Sequence, residues 1–329
     1  MLINGWAGLI QYIFFMTMRN IPTPAEIRQL TDNDNPDEVW AKAVDIIRHI
    51  SPSYDFALAR TTFSDVLRLF RGQFPGYCAI KTPYHNLHHT MDVFICGVRL
   101  SHGVHVSGTP LADRELTWIM LATLMHDIGY VQLLEEEAGT GAQFTLTHVG
   151  RGIIFMRQYL LDNGFPADYA APIEHLMNST NPVLAFDDIK FPDERTRMLA
   201  QIVGSADIVG QMADRTYLEK LLFLYLEFKE ARVDNFASMH DLLRQTKDFY
   251  EATREKKLDG AFDGVYKKLT FHFKNYIGME QNYYVDAIEK NLDYLSKVIS
   301  LNEAEYLTML KRGGIVEKSS TLVSPKVFT

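Results

Sequence analysis

The stretch Tyr84-His85-Asn86-Leu87-His88-His89-Thr90-Met91-Asp92-Val93 gathers three imidazoles and a carboxylate into ten residues, a density that little besides metal or proton chemistry explains. Read as a helix, it carries His85, His89 and Asp92 on one face, with His88 about 100° to the side of His89. Farther on, Ala122-Thr123-Leu124-Met125-His126-Asp127-Ile128-Gly129 ends an apolar run in a His-Asp pair. Neighbouring side chains on a helix diverge by about 100°, so this pair can face two different ions with the Asp as a bridge. Imidazole with carboxylate is the donor set for Mn, Fe, Zn or Mg. Six residues are candidate ligands: His89, His126, Asp127, His148, His175 and Asp207. Two divalent ions sharing a carboxylate at about 3.5–4 Å can activate one water between them.

Other polar residues invite plainer readings. A lone histidine on an apolar helix is ordinarily a core residue, and His49, His102, His105, His240 and His272 are read that way. Asp92 either pairs locally or orients His85 or His89. Arg151, one turn past His148, is either a clamp for a phosphate oxygen or a surface cation.

These residues must be positioned by helices, because no stretch alternates as a strand would. The 329 residues are 47% hydrophobic and 22% charged, which suits a soluble globular chain with one large core. A net charge of −8 argues against nucleic-acid binding, which needs clustered cations. Cys78 and Cys96 are the only cysteines and form no C-x-x-C pair, so disulfide frameworks and thiolate zinc sites are excluded and a reducing cytoplasm is expected.

Residues 1–22 form an apolar N-terminal segment without charge through Met18. It lacks the basic start of a signal peptide, and Asn4, Gly5, Gly8 and Gln11 weaken it as a spanning helix. A packed or disordered segment is the expectation, with a membrane anchor through residues 2–18 as its competitor. Residues 23–312 read as a single catalytic domain and 313–329 as a polar, mobile tail beginning at Gly313-Gly314.

Within the domain, Asp34-Asn35-Pro36-Asp37-Glu38 reads as a cap with acidic residues in the first turn of a first helix. Further helices are expected over about Phe56–Phe70, Tyr84–His102, Asp113–Met125 and His148–Asn163, the last capped by Thr147. Others carry His175, open at Asp193 to include Asp207, follow Asp214, and span about Ser238–Lys257 and Met279–Leu301. The fold class is all-α, with roughly a dozen helices and no internal repeat.

His89, His126-Asp127 and Asp207 match the H…HD…D pattern of the HD superfamily of metal-dependent phosphohydrolases, which the chain therefore resembles. His148 and His175 look like the two further histidines of its dinuclear branch. More narrowly, Tyr84-His85-Asn86-x-x-His89-x-x-Asp92-Val93 is similar to the Y-H-N-x-x-H-x-x-D-V signature of the class I cyclic nucleotide phosphodiesterases. The chain departs from that family at Tyr130, where a histidine usually follows the HD pair. Its Asp127–Asp207 interval is short, and it lacks the Gln and nearby Phe that grip a purine.

The resemblance implies an HD-type helical bundle with a dinuclear metal centre in its core, holding Mn²⁺, Fe²⁺, Mg²⁺ or Zn²⁺. It implies hydrolysis of a small phosphoester, such as a 3′,5′-cyclic nucleotide, by a hydroxide bridging the metals. Catalysis would rest on Asp127 and on His85 as general acid, with Tyr84, Phe271 and Phe273 against the substrate. Two other classes stay open: a di-iron oxygenase or another nucleotide phosphohydrolase on the same ligand order, and a degenerate nucleotide sensor. The sequence leaves the oligomeric state open.

Overall fold

The computed structural model describes residues 33–316 apart from 137, 303 and 304, so the apolar segment 1–22 and most of the tail 313–329 lie outside the described residues. Among the described residues there are eleven α-helices and no strand, and the sole β-type pairing is a bridge between Tyr77 and Leu133. No described helix is long and apolar enough to cross a membrane.

The helices are α1 (Pro36–Ile50), α2 (Ala57–Phe70), α3 (Leu87–Val106), α4 (Asp113–Met125), α5 (His148–Asp162), α6 (Ala170–Asn178), α7 (Glu194–Ala213), α8 (Tyr217–Glu230), α9 (Met239–Thr253), α10 (Leu269–Ile277) and α11 (Tyr283–Val298). Their starts follow local chemistry. Asn35, Asn86, Asp193, Ser238 and Asn282 each accept a backbone N–H of the first turn. Thr147 does not: its hydroxyl donates to the Phe144 carbonyl, and α5 begins without a side-chain cap. The helix after Ser238 stops at Thr253 and continues as a π-type segment, Arg254–Ala261.

Three helices form the centre. α3 is buried from His89 to Val104, α4 from Glu115 to Met125, and α7 along most of its length. Helices apolar nearly all round belong in the interior, and the outer helices supply the amphipathic shell. α3 runs against α7, α1 and α10, and its glycines permit the approach. A Cβ on Gly97 would stand 2.8 Å from Thr123 of α4, and one on Gly103 would stand 2.1 Å from the Lys268 carbonyl at the start of α10. Either substitution would force backbones apart in a close-packed interior.

The α3–α10 contact is also where two histidines meet. His102 and His272 are buried, and their Nδ1 atoms lie 3.2 Å apart, one donating to the other. Burial, reinforced by the nearby His49 and His105, pushes His102 down to about 4. Burial, reinforced by Arg99, holds His272 well below the ordinary histidine range. Both are therefore neutral in the fold, and the unfolded chain takes up the protons that they refuse.

The sign follows from linkage. Their stabilising contribution is complete above about pH 6.5 and falls as the pH drops below it, by at most about 2 kcal/mol for His102 near pH 5, with His272 acting in the same direction. Urea unfolding at pH 7.5 and pH 5 should show this loss, and His272→Phe should show a smaller one. Equal pH dependence in the two proteins would place its source elsewhere.

Candidate metal centre

Each candidate ligand is placed by a backbone feature. The apolar run of α4 ends at His126, the helix C-cap, and Asp127 leaves the helix at φ −105°, ψ 5°. The next turn, Ile128–Tyr130, lies directly on the start of α5: a Cβ on Gly129 would fall 1.8 Å from the His148 carbonyl. Only glycine tolerates that approach, and it brings His148 over Asp127. His89 sits in the first turn of α3, held by the Asn86 cap that accepts its N–H at 3.1 Å. Asp207 comes from α7, whose Gly210 passes close to the Asp92 carbonyl of α3.

The side chains converge. His89 Nε2 and His126 Nε2 are 3.2 Å apart, and each lies 3.1 Å from Asp127 Oδ2. Asp207 Oδ1 lies 3.6 Å from the first and 3.8 Å from the second. The other oxygen of Asp127, Oδ1, faces His148 Nε2 at 3.3 Å. His126 and His148 donate their Nδ1 protons to the Thr123 and Thr145 carbonyls, at 2.9 and 2.7 Å, which turns both Nε2 atoms inward. Such outer bonds fix tautomer and ring plane in metal-ligating histidines.

The donor set fits a cation. Asp127 is 5% exposed, yet its Oδ2 accepts no hydrogen bond. Ligand atoms at about 2.1 Å from one ion lie about 3–3.5 Å from one another, the spacing found here. Among the described residues, His89, His126 and Asp127 form a group able to hold a metal ion. The electrostatics agree. Burial opposes the charge on His126, but Asp127 and Asp207 outweigh it and raise the imidazole to about 9. Burial likewise opposes the charge on Asp127, but the imidazoles of His126 and His85 hold it well below the ordinary carboxylate range.

His85 stands beside the centre by a different route from the one its spacing suggests. α3 begins at Leu87 with Asn86 as its cap, so His85 precedes the helix and shares no helical face with His89. A loop holds it instead. Thr82 donates to its carbonyl at 2.6 Å, and Glu227 of α8 accepts its Nδ1–H at 2.5 Å while also taking the Tyr84 and His85 backbone N–H groups. Burial opposes the charge of His85, but Glu227 and Asp127 outweigh it and raise its pKa. Tyr130 lies nearly parallel to both His85 (4.6 Å, 19°) and His148 (4.5 Å, 12°) and is 1% exposed.

Tyr84 is placed as a support and not as a substrate contact. It is 3% exposed, and its hydroxyl donates to Gln211 Oε1 at 2.7 Å. Gln211 in turn donates to Asp207 Oδ1 at 3.1 Å. Phe273 is a core residue packed against Tyr283, Tyr284 and Arg99, and Phe271 is an exposed side chain under Lys268. Both belong to α10, which meets α3 at Gly103. That contact is fourteen residues along α3 from His89, about 21 Å at 1.5 Å per residue, too far for an aromatic clamp over the centre.

Two further expectations change. His175 is half-buried in the last turn of α6, its ring 5.8 Å from Phe191. Among the described residues, no hydrogen bond or ion pair joins it to the ligands. Arg151 is consumed by the Gly129 and Val131 carbonyls and by Glu136, and lies over Phe144. Asp92 pairs with His88 at 3.2 Å, Asn33 at 2.7 Å and Lys220 at 3.9 Å, and so orients neither His85 nor His89. A cleft of about 550 Å³ beside α5, lined by Tyr77, Val131, Ile154, Phe155 and Leu161 among others, includes none of the ligands.

The profile of a family described as Npun_R2479-like matches residues 133–290, just under half of the chain. That span takes in His148, Asp207, Gln211 and Glu227 and begins after His89, His126 and Asp127. No curated protein and no solved structure matches the chain.

Glu227 and Gln211 carry no sequence signal that marks them. Glu219, Phe223 and Glu227 recur every four residues on α8, and a charged stripe of that kind ordinarily faces water. Here Glu219 and Glu227 are 0% and 1% exposed. Divalent-metal binding should be lost in His126→Ala and Asp127→Ala and retained in His175→Ala, as read by elemental analysis of dialysed protein. Loss in His175→Ala would return that residue to the centre.

Proposed function

We propose that this protein is a metal-dependent phosphohydrolase that cleaves a phosphodiester, a 3′,5′-cyclic nucleotide or a close relative. The observation that carries this reading is the separation of tasks between Asp127 and His85. Asp127 directs one oxygen to His89 and His126 and the other to His148, as a carboxylate shared by two ions would. His85, close by, is held through Nδ1 by Glu227 and lies outside the group His89, His126 and Asp127. Divalent ions in such a centre supply Lewis acidity toward phosphoryl oxygens and activate water.

The chain's own groups then have defined work. His89, His126, Asp127 and Asp207 would hold a first ion, and Asp127 with His148 would contribute to a second. Glu227 fixes the Nδ1–H tautomer of His85, so its Nε2 is the atom that exchanges a proton with the departing oxygen. Tyr130 covers the ring and excludes water from one of its faces. Di-iron oxygen chemistry on the same ligands leaves the buried His85–Glu227 pair without a task. The reading extends to the phosphodiester and its leaving group, and the loss of Phe271 and Phe273 from the site leaves base recognition out of it.

The role of His85 separates by leaving group. A ribose alkoxide needs a proton in the transition state, where a positioned acid contributes ~10²–10⁴-fold, whereas p-nitrophenolate leaves without one. His85→Ala should keep its metal content, lose activity by about that factor on a cyclic nucleotide, and retain most of its rate on bis(p-nitrophenyl) phosphate. His89→Ala should lose metal and both activities. Equal slowing on both substrates in His85→Ala would overturn the general-acid assignment, and oxygen consumption without phosphoester turnover would overturn the reaction class.

A further inference from the structure

The buried stripe of α8 joins the loop that carries His85 to the C-terminal end of the described chain. Glu227 holds the backbone of Tyr84 and His85. One turn back, Phe223 packs with Tyr84 and Ile315 in a small apolar cluster of their own. A further turn back, Glu219 accepts the Arg312 backbone N–H at 3.2 Å and its Nε–H at 2.9 Å. Arg312 also donates to Asn291 at 3.3 Å and lies over Tyr294. Gly313 and Gly314 follow with φ of 68° and 61°, two consecutive left-handed residues that reverse the chain and set Ile315 against Tyr84. The polar, mobile tail expected from Gly313 onward is thus, over its first residues, a docked segment.

Tyr84 is the next link toward the centre. Its ring is enclosed by Phe223 and Ile315, and its hydroxyl holds Gln211, which holds Asp207 Oδ1. We propose that Arg312–Ile315 is a strap that positions the metal ligand Asp207, acting through the ring of Tyr84 and the amide of Gln211. The inference rests on the centre being a metal site. The strap lies outside the span matched by the family profile and touches no ligand directly, so Arg312 and Ile315 are positioning residues.

The energetic basis is orientation. Partners of a metal ligand are worth about 10- to 100-fold in metal affinity. Asp207, whose carboxylate is 18% exposed and lies farther from the two imidazole nitrogens than Asp127 does, is the ligand with most freedom to turn away. Ile315 contributes only by keeping Tyr84 in the rotamer that reaches Gln211.

The test measures Mn²⁺ affinity of the full chain by calorimetry, without substrate, in the wild type, Ile315→Ala, Tyr84→Phe and the double variant. Ile315→Ala and Tyr84→Phe should each weaken binding about tenfold, and the double variant no further, because both break one relay. Ile315→Leu should restore affinity. Circular dichroism and thermal melting report folding, and Arg312→Ala, which frees the strap from Glu219, replaces Ile315→Ala if the latter does not fold. Wild-type affinity in a folded Ile315→Ala or Arg312→Ala protein, or multiplied losses in the double variant, would overturn the strap. A wild type that binds no divalent ion would instead overturn the metal reading beneath it.

Discussion

A carboxylate buried against three imidazoles is the constraint on which the rest of this protein depends. Removing the Asp127 charge from water costs several kcal/mol unless cations and hydrogen bonds replace the solvent. Three elements meet around it to do so. α4 ends one residue earlier and presents His126, α3 begins beside it with His89, and the turn at Gly129 brings α5 in with His148. None of these imidazoles can be a strong counter-ion while neutral. The arrangement is therefore completed by protons or by a metal, and the inward Nε2 atoms suit the metal.

A few residues away the same problem has a different solution. His88 Nε2 lies 3.2 Å from Asp92 and 3.5 Å from Asp214, a grouping that on residue type alone also resembles a metal site. Lys220 forms an ion pair with Asp214, and the Nδ1 of His88 meets a third, exposed carboxylate, Asp34, at 2.8 Å. Burial opposes charge on His88, but Asp92 and Asp214 outweigh it and raise it to about 10. With Lys220 in place, this network ties the start of α3 to the end of α7 and to α8.

The residues that hold these side chains in place come from far away in sequence. Glu227 lies in the last turn of α8, 142 residues beyond His85, and places the loop before α3. Gln211, one turn past Asp207 on α7, joins the Tyr84 hydroxyl to the Asp207 carboxylate. Tyr130 covers two imidazoles, those of His85 and His148, with a flat ring. Each contact joins elements that no local pattern connects.

The helices were legible because capping and apolar periodicity are local: Asn35, Asp193 and Ser238 announce starts, and the apolar stretch of α4 announces a central helix. So was the meeting of His89, His126 and Asp127 in one group able to hold a metal ion, because His and Asp at a helix end have few other uses. What sequence could not settle were directions. Spacing alone sets His85 on a helical face with His89, whereas the Asn86 cap places it in the preceding loop; residue type alone leaves Phe271 and Phe273 open to the site, whereas α10 docks at Gly103. His175 had the right residue type, but the packing of α6 turned its ring to Phe191. Residue type and spacing determine which groups can do chemistry and which segments are helical. Tertiary packing alone decides which of them meet, because burial of Glu227, the reach of Gln211 and the return of Ile315 depend on contacts between helices distant in the chain.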